Sequence, residues 1–195
     1  IMRSMPILLE LHNAGWEVIP AVSGDNSLWY TRYGKDTSTY IFVGNPGNVR
    51  KTGTISIDSQ YLGDKQYLFT TYEGAQVENL VANGMTEVQY GINDKEYTIF
   101  KAVLGVKGSS DLQATVHEEI AADHNYVFAE LRNLQNAVEI FARKPEASTV
   151  ISLKVNGREV PFEEHSDYVK FATDGSDKVY IELKFKSNQF LSPES

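Results

Sequence analysis

A chain of 195 residues without cysteine excludes disulfides, thiolate metal sites and thiol catalysis, and its 42% hydrophobic and 11% aromatic content implies a packed fold. Its net charge of −8, with no basic cluster longer than a pair such as Arg143-Lys144, argues against nucleic acid and anionic membranes as partners. No apolar run approaches the ~20 residues of a spanning helix, no Asn-x-Ser/Thr acceptor occurs, and the opening Ile1 leads us to expect a natural N-terminus lying upstream.

One opening segment reads as helix. Ser4 suits the cap and Pro6 the first turn, Ile7, Leu8, Leu11 and Ala14 share a face, and Gly15 is the stop. A helix this short falls below the ~12–15 residues that an isolated helix needs, so its apolar face must pack on something. The short connection through Gly15 and Pro20, with the aromatic cluster around Trp16 and Trp29, predicts docking on the following β structure.

From Leu28 onward the pattern has period two, as in half-buried strands. Leu28–Tyr33, Thr39–Val43, Thr54–Ile57, Gln66–Tyr72 and Tyr97–Val106 form a first set, punctuated by turns such as Gly44-Asn45-Pro46-Gly47 and Leu62-Gly63-Asp64. Ile55 and Ile57 are expected to point inward, with Thr54, Ser56 and Asp58 outward. Lys107-Gly108-Ser109-Ser110-Asp111 either divides two subdomains or joins two sheets. The second set is Leu112–Ile120, Tyr126–Leu131, Ala137–Ala142, Thr149–Val155, Tyr168–Phe171 and Val179–Lys186. In the last of these Val179, Ile181, Leu183 and Phe185 alternate with Tyr180, Glu182, Lys184 and Lys186. Asn156-Gly157 predicts a type I′ hairpin turn between Val150–Val155 and Arg158–Phe162.

Catalytic constellations are scarce. A glycosidase needs two carboxylates facing each other across a sugar, but Glu118-Glu119 and Glu163-Glu164 are adjacent pairs. Neighbours in a strand point to opposite faces, so both pairs are expected at solvated edges or turns. His12, His117, His124 and His165 lack ligand spacing, and His117, Asp123 and His124 meet at a metal only if a hairpin joins them. There is no Gly-x-Ser-x-Gly elbow and no phosphate loop. Trp16, Trp29, Tyr30, Tyr33 and Tyr40 concentrate in one early region. They serve either as stacking platforms for sugar rings or as core and interface packing.

The helix, the stretch Ala14-Gly15-Trp16-Glu17-Val18-Ile19-Pro20, then Leu28–Gly34 and Tyr40–Asn45 together resemble a junction found in multidomain glycoside hydrolases. There the catalytic barrel ends in a last helix and the chain crosses into a C-terminal β-sandwich. Leu62-Gly63 matches a later segment of that pattern. Lys154-Val155-Asn156-Gly157-Arg158-Glu159-Val160 is similar to the hairpin that often closes such sandwiches. The resemblance implies that the acid and nucleophile lie in a barrel upstream, and it carries no catalytic residue onto this chain.

The expected fold is thus mostly β, an antiparallel sandwich of one large or two closely packed lobes with one short N-terminal helix. Residues 1–23 are expected to be helix and linker from a preceding domain, 24–106 the first half of the sandwich and 107–195 the second. The expected function is that of a non-catalytic accessory domain stabilising a glycosidase barrel. The rivals are a carbohydrate-binding module, using Trp29, Tyr30, Tyr33 and Tyr40 for stacking, and an immunoglobulin-like adhesion or surface-layer module. No metal or cofactor is expected. The expected partners are the catalytic domain of the same chain and carbohydrate, not nucleic acid or a membrane.

Overall fold

Alternation decides the architecture strand by strand. In the last strand Val179, Ile181, Leu183 and Phe185 are fully buried while Tyr180 and Lys186 face solvent, and Ile55 and Ile57 are buried between outward-facing neighbours. The computed structural model describes residues 5–187. Its first half comprises α1 (Met5–Ala14), β1 (Trp16–Glu17), β2 (Val22–Ser23), β3 (Trp29–Tyr33), β4 (Tyr40–Gly44), β5 (Lys51–Asp58), β6 (Gln66–Thr71), β7 (Val77–Ala82), β8 (Met85–Ile92) and β9 (Tyr97–Lys107). The second half comprises β10 (Leu112–Ile120), β11 (His124–Arg132), β12 (Glu139–Arg143), β13 (Ser148–Val155), β14 (Arg158–Glu159), β15 (Glu163–Glu164), β16 (Tyr168–Ala172) and β17 (Lys178–Ser187).

These strands form two antiparallel sheets, consistent with a β-sandwich. One runs β1-β3-β4-β9-β12-β16-β15 with β6 on the other side of β9, and the second runs β14-β13-β17-β11-β10-β7-β8-β5-β2. The Lys107–Asp111 segment carries the chain from β9 in the first sheet to β10 in the second. Both halves contribute to both sheets, so the sandwich is long and contains two apolar clusters. Ile41, Val43, Ile55, Ile57 and Phe100 belong to one, and Val116, Ile140, Leu153, Leu183 and Phe185 to the other.

Strands β6 and β9 stand between the clusters. Tyr67 and Phe69 face one and Leu68 the other, and β9 is buried without interruption from Ile99 to Val106. One-sided alternation therefore fails here, because a strand enclosed on both faces is apolar on both.

The β7–β8 hairpin is absent from the sequence reading, and its inward polar residues explain why. Asn79 and Thr86 are buried at positions where the period-two pattern calls for apolar side chains. Both satisfy the outer edge of β6, which has no strand partner among the described residues. Asn79 Oδ1 accepts from Phe69 N at 2.7 Å, Asn79 Nδ2 donates to Phe69 O at 3.0 Å, and Thr86 Oγ1 donates to Tyr67 O at 2.8 Å. Side chains from the second sheet thus close an edge that would otherwise bury unpaired backbone groups. The hairpin turns at Asn83-Gly84 with φ of 52° and 78°, matching Asn156-Gly157 at 51° and 77°. Both are the positive-φ pairs that a type I′ turn needs.

The helix docks on the outer face of the first sheet. Ile7 and Leu11 pack with Tyr40 and Ile99, flanked by Ala14, Tyr33, Phe42 and Tyr72. The expected capping by Ser4 lies outside the described residues. Leu8 is a correction: it is 59% exposed, because positions 7, 11 and 14 define the buried stripe and 8 lies a quarter-turn away. Position 10 shares the stripe, and there Glu10 bonds two tyrosines. Beyond the helix, buried Arg32 donates to Ile19 O at 2.9 Å and Tyr61 O at 2.7 Å, fixing the connecting segment against the sandwich.

Candidate functional site

A cleft of about 810 Å³ opens between α1 and the ends of the second sheet. Its origin is visible strand by strand. Along the inner face of β10 the side chains run Leu112, Ala114, Val116 and then Glu118; along β11 they run Leu131, Ala129, Val127 and then Asn125. The apolar interior ends and a polar lining begins. Lys101, Tyr40 and Tyr72 come from the first sheet, Glu10 and Asn13 from the helix, and Arg143 from the end of β12.

The polar groups form two linked sets. Glu10 accepts from Tyr40 Oη at 2.6 Å and from Tyr72 Oη at 2.8 Å. Arg143 donates to the Tyr40 hydroxyl and lies over its ring, 4.5 Å from the centroid. Burial raises the Tyr40 pKa above the ordinary phenol value, opposed by the Arg143 charge and reinforced by Glu10. For Tyr72 burial is again the first cause and Glu10 the second, in the same direction. Both phenols are thus held as donors. In the second set Lys101 Nζ lies 2.6 Å from Glu118 Oε2, with the two side chains only 10% and 7% exposed, and Thr70 Oγ1 donates to the same oxygen at 3.1 Å. The arrangement offers fixed donors and acceptors lining a concave cleft, the kind of place where ligand sites commonly form.

Glu118 is therefore a correction to the expected solvated edge. It points inward as alternation requires, but onto the cleft and a buried ammonium. Glu119, Glu163 and Glu164 are at the surface as expected. Lys101, Tyr72 and Arg143 were not singled out from sequence. The available signal was a lysine inside an otherwise apolar strand, Ile99–Val106.

The four aromatic candidates separate. Trp29 is 65% exposed on the outer face of the first sheet. Tyr30 points the other way, packing on the interior with its hydroxyl donating to Asp25 O at 3.0 Å. Tyr33 is half-buried against the helix cluster, and Tyr40 lies beneath the helix at 2% exposure. Tyr30 and Tyr40 are corrections, since neither presents an open ring face. Alternation divides Tyr30 from Trp29, and helix docking covers Tyr40. On that outer face Trp29 and Tyr97 are exposed instead, with the half-buried Phe42 beside them. The Phe42 ring covers Gly44, where a Cβ would come within 2.9 Å of it, and stacks on Tyr97 with centroids 5.2 Å apart. Trp29, Gly44 and Tyr97 are cross-strand partners in β3, β4 and β9.

The histidines do not converge. His117 pairs across the hairpin with Phe128 and stacks on it at 4.8 Å, while His124 Nδ1 contacts Asp123 Oδ1 at 2.6 Å with Tyr126 intervening. Among the described residues no group of three or more His, Cys, Asp or Glu is placed to hold a metal ion. Comparison of the chain with protein-family models, curated proteins and solved structures finds no match.

Proposed function

We propose that this chain is a non-catalytic β-sandwich accessory domain of a carbohydrate-active enzyme, packed through its helix-bearing side on the catalytic domain of the same chain. The carbohydrate-active context comes from the sequence resemblance. The observation that carries the packing is a concentration of exposed apolar side chains on α1 and the segment after it: Leu8 at 59%, Leu9 at 60%, Trp16 at 65%, Val18 at 75% and Ile19 at 48%. Scattered exposed leucines need no explanation, but large side chains crowded into a dozen residues mark an interaction surface. The engagement of Glu10 by two phenols, and of Glu118 by an ammonium and a hydroxyl, supports positioning rather than acid–base chemistry.

A carbohydrate-binding module is the second reading, favoured by the Trp29–Phe42–Tyr97 platform. Two experiments test the first. Assay of the isolated chain on chromogenic glycosides should give no turnover; a rate abolished by replacing one carboxylate overturns the reading. In the longer encoded chain, Leu9→Asp with Val18→Asp should loosen the domains, read as faster limited proteolysis between them. Unchanged cleavage, or a gene encoding no upstream domain, refutes it.

A further inference from the structure

We propose that the cleft between α1 and the ends of the second sheet binds a neutral, polyhydroxylated ligand, a segment of a sugar chain. The inference stands on cleft chemistry and holds or fails independently of the accessory-domain reading.

The argument starts from the Lys101–Glu118 pair. Burying an ion pair brings a desolvation penalty that its mutual attraction often fails to repay, so such a pair is poor evidence of stabilisation. Here it sits where the apolar interior ends and the cleft begins. Ammonium and carboxylate side by side offer a donor and an acceptor at the separation of adjacent hydroxyls. A hydroxyl both donates and accepts, so a vicinal diol satisfies both partners at once.

Three further features narrow the ligand class. Asn125, on the inner face of β11 and lining the cleft, has a side-chain amide with no hydrogen bond among the described residues, leaving a donor and an acceptor facing the space. Tyr72, whose ring lies 5.7 Å from Lys101 Nζ, supplies an aromatic wall for the apolar C–H face of a sugar. Lys101 is paired with Glu118 and Lys144 with Glu164, Arg143 is linked to Glu10 through the Tyr40 hydroxyl, and Glu73, Glu146 and Asp167 on the exposed rim repel anions. A volume of about 810 Å³ is in the range of a small-molecule site and admits more than one ring.

The test uses the chain as it stands, titrated with neutral gluco-, xylo-, manno- and galacto-oligosaccharides by calorimetry and by ¹⁵N–¹H spectra. Saturable binding of one of these is expected, with the largest shifts at the amides of Tyr72, Glu118 and Asn125. Asn125→Ala, whose melting curve checks that the fold is kept, should weaken it at least about tenfold, and Trp29→Ala should leave it unchanged. Glu118→Gln should also weaken binding, and its melting curve separates lost recognition from lost fold. Because both tryptophans lie outside the cleft on the outer face, their emission should stay constant during the titration. Binding that quenches tryptophan and is abolished by Trp29→Ala moves the site to the outer face and overturns the proposal. No saturable binding by any sugar at millimolar concentration overturns it as well.

Discussion

Replacing Asn79 with leucine tests how the two sheets are joined. The side chains are similar in volume, so the substitution leaves little cavity and chiefly removes polar contacts. Three are lost: Phe69 N to Oδ1 at 2.7 Å, and Nδ2 to Phe69 O at 3.0 Å and to Val77 O at 3.1 Å. Each contributes about 1 kcal/mol net, and a buried backbone group left unpaired adds about 1–3 kcal/mol. Phe69 is fully buried, so water cannot replace the amide without opening the sandwich. With one backbone group stranded the sum is about 4–6 kcal/mol. With a urea m-value of about 2–3 kcal/mol/M, the midpoint should fall by ~1–3 M at unchanged slope. Hydrogen exchange localises the effect, since the Phe69 amide should lose protection before the β11–β17 amides. An unchanged midpoint with Phe69 still protected refutes the claim that Asn79 closes the β6 edge.

The helix gives a second expectation: Leu11→Ala should destabilise by roughly 2–5 kcal/mol, the range for buried leucine truncation, or detach α1 and speed cleavage near Gly15. Equal denaturation midpoints and equal cleavage would show that the helix contributes nothing. Gly84→Ala and Gly157→Ala should each cost about 1–2 kcal/mol, because both positions have positive φ while nothing lies within 4 Å of the added methyl. Unaltered thermal midpoints would contradict the turn assignment. Lys101→Met should cost roughly 3–5 kcal/mol by stranding Glu118, and Lys101→Met with Glu118→Leu should recover most of it. A double variant no more stable than the single one argues against a buried pair. Asp25 is lowered to about 2, first by its hydrogen bonds from Ser27, and Asp64 to about 2, first by its hydrogen bond from Lys65 and then by Lys107. A depressed folded-state pKa stabilises above the unfolded value near 3.8, so this contribution should be lost as pH falls from about 4 towards 2. NMR titration checks it, and midpoints near 3.8 for both carboxyls would reject it.

The cleft was partly legible beforehand. Glu118 was singled out as one of a carboxylate pair, and strand alternation correctly separated it from Glu119. What lay opposite was not legible. Lys101 is seventeen residues earlier and belongs to the other sheet, and Glu10 reaches Tyr40 and Tyr72 across 30 and 62 residues. The aromatic platform was half legible: Trp29 was named, but Phe42 and Tyr97 join it only through the register of β3, β4 and β9.

Local chemistry sufficed wherever a residue answers to its neighbours in sequence. Period-two alternation named the inward side chains of β5 and β17, Asn156-Gly157 named its turn, and Gly15 ended the helix, because each depends on backbone geometry within a few residues. Tertiary structure decided the rest. β9 is buried on both faces because it stands between two apolar clusters and contributes side chains to both. Asn79 and Thr86 face inward because β6 lacks a strand partner on that side among the described residues, and no polar residue announces in sequence which distant backbone it will satisfy. The cleft exists because helix, first sheet and second sheet end at one place, and that coincidence depends on strand order and register rather than on any stretch of sequence.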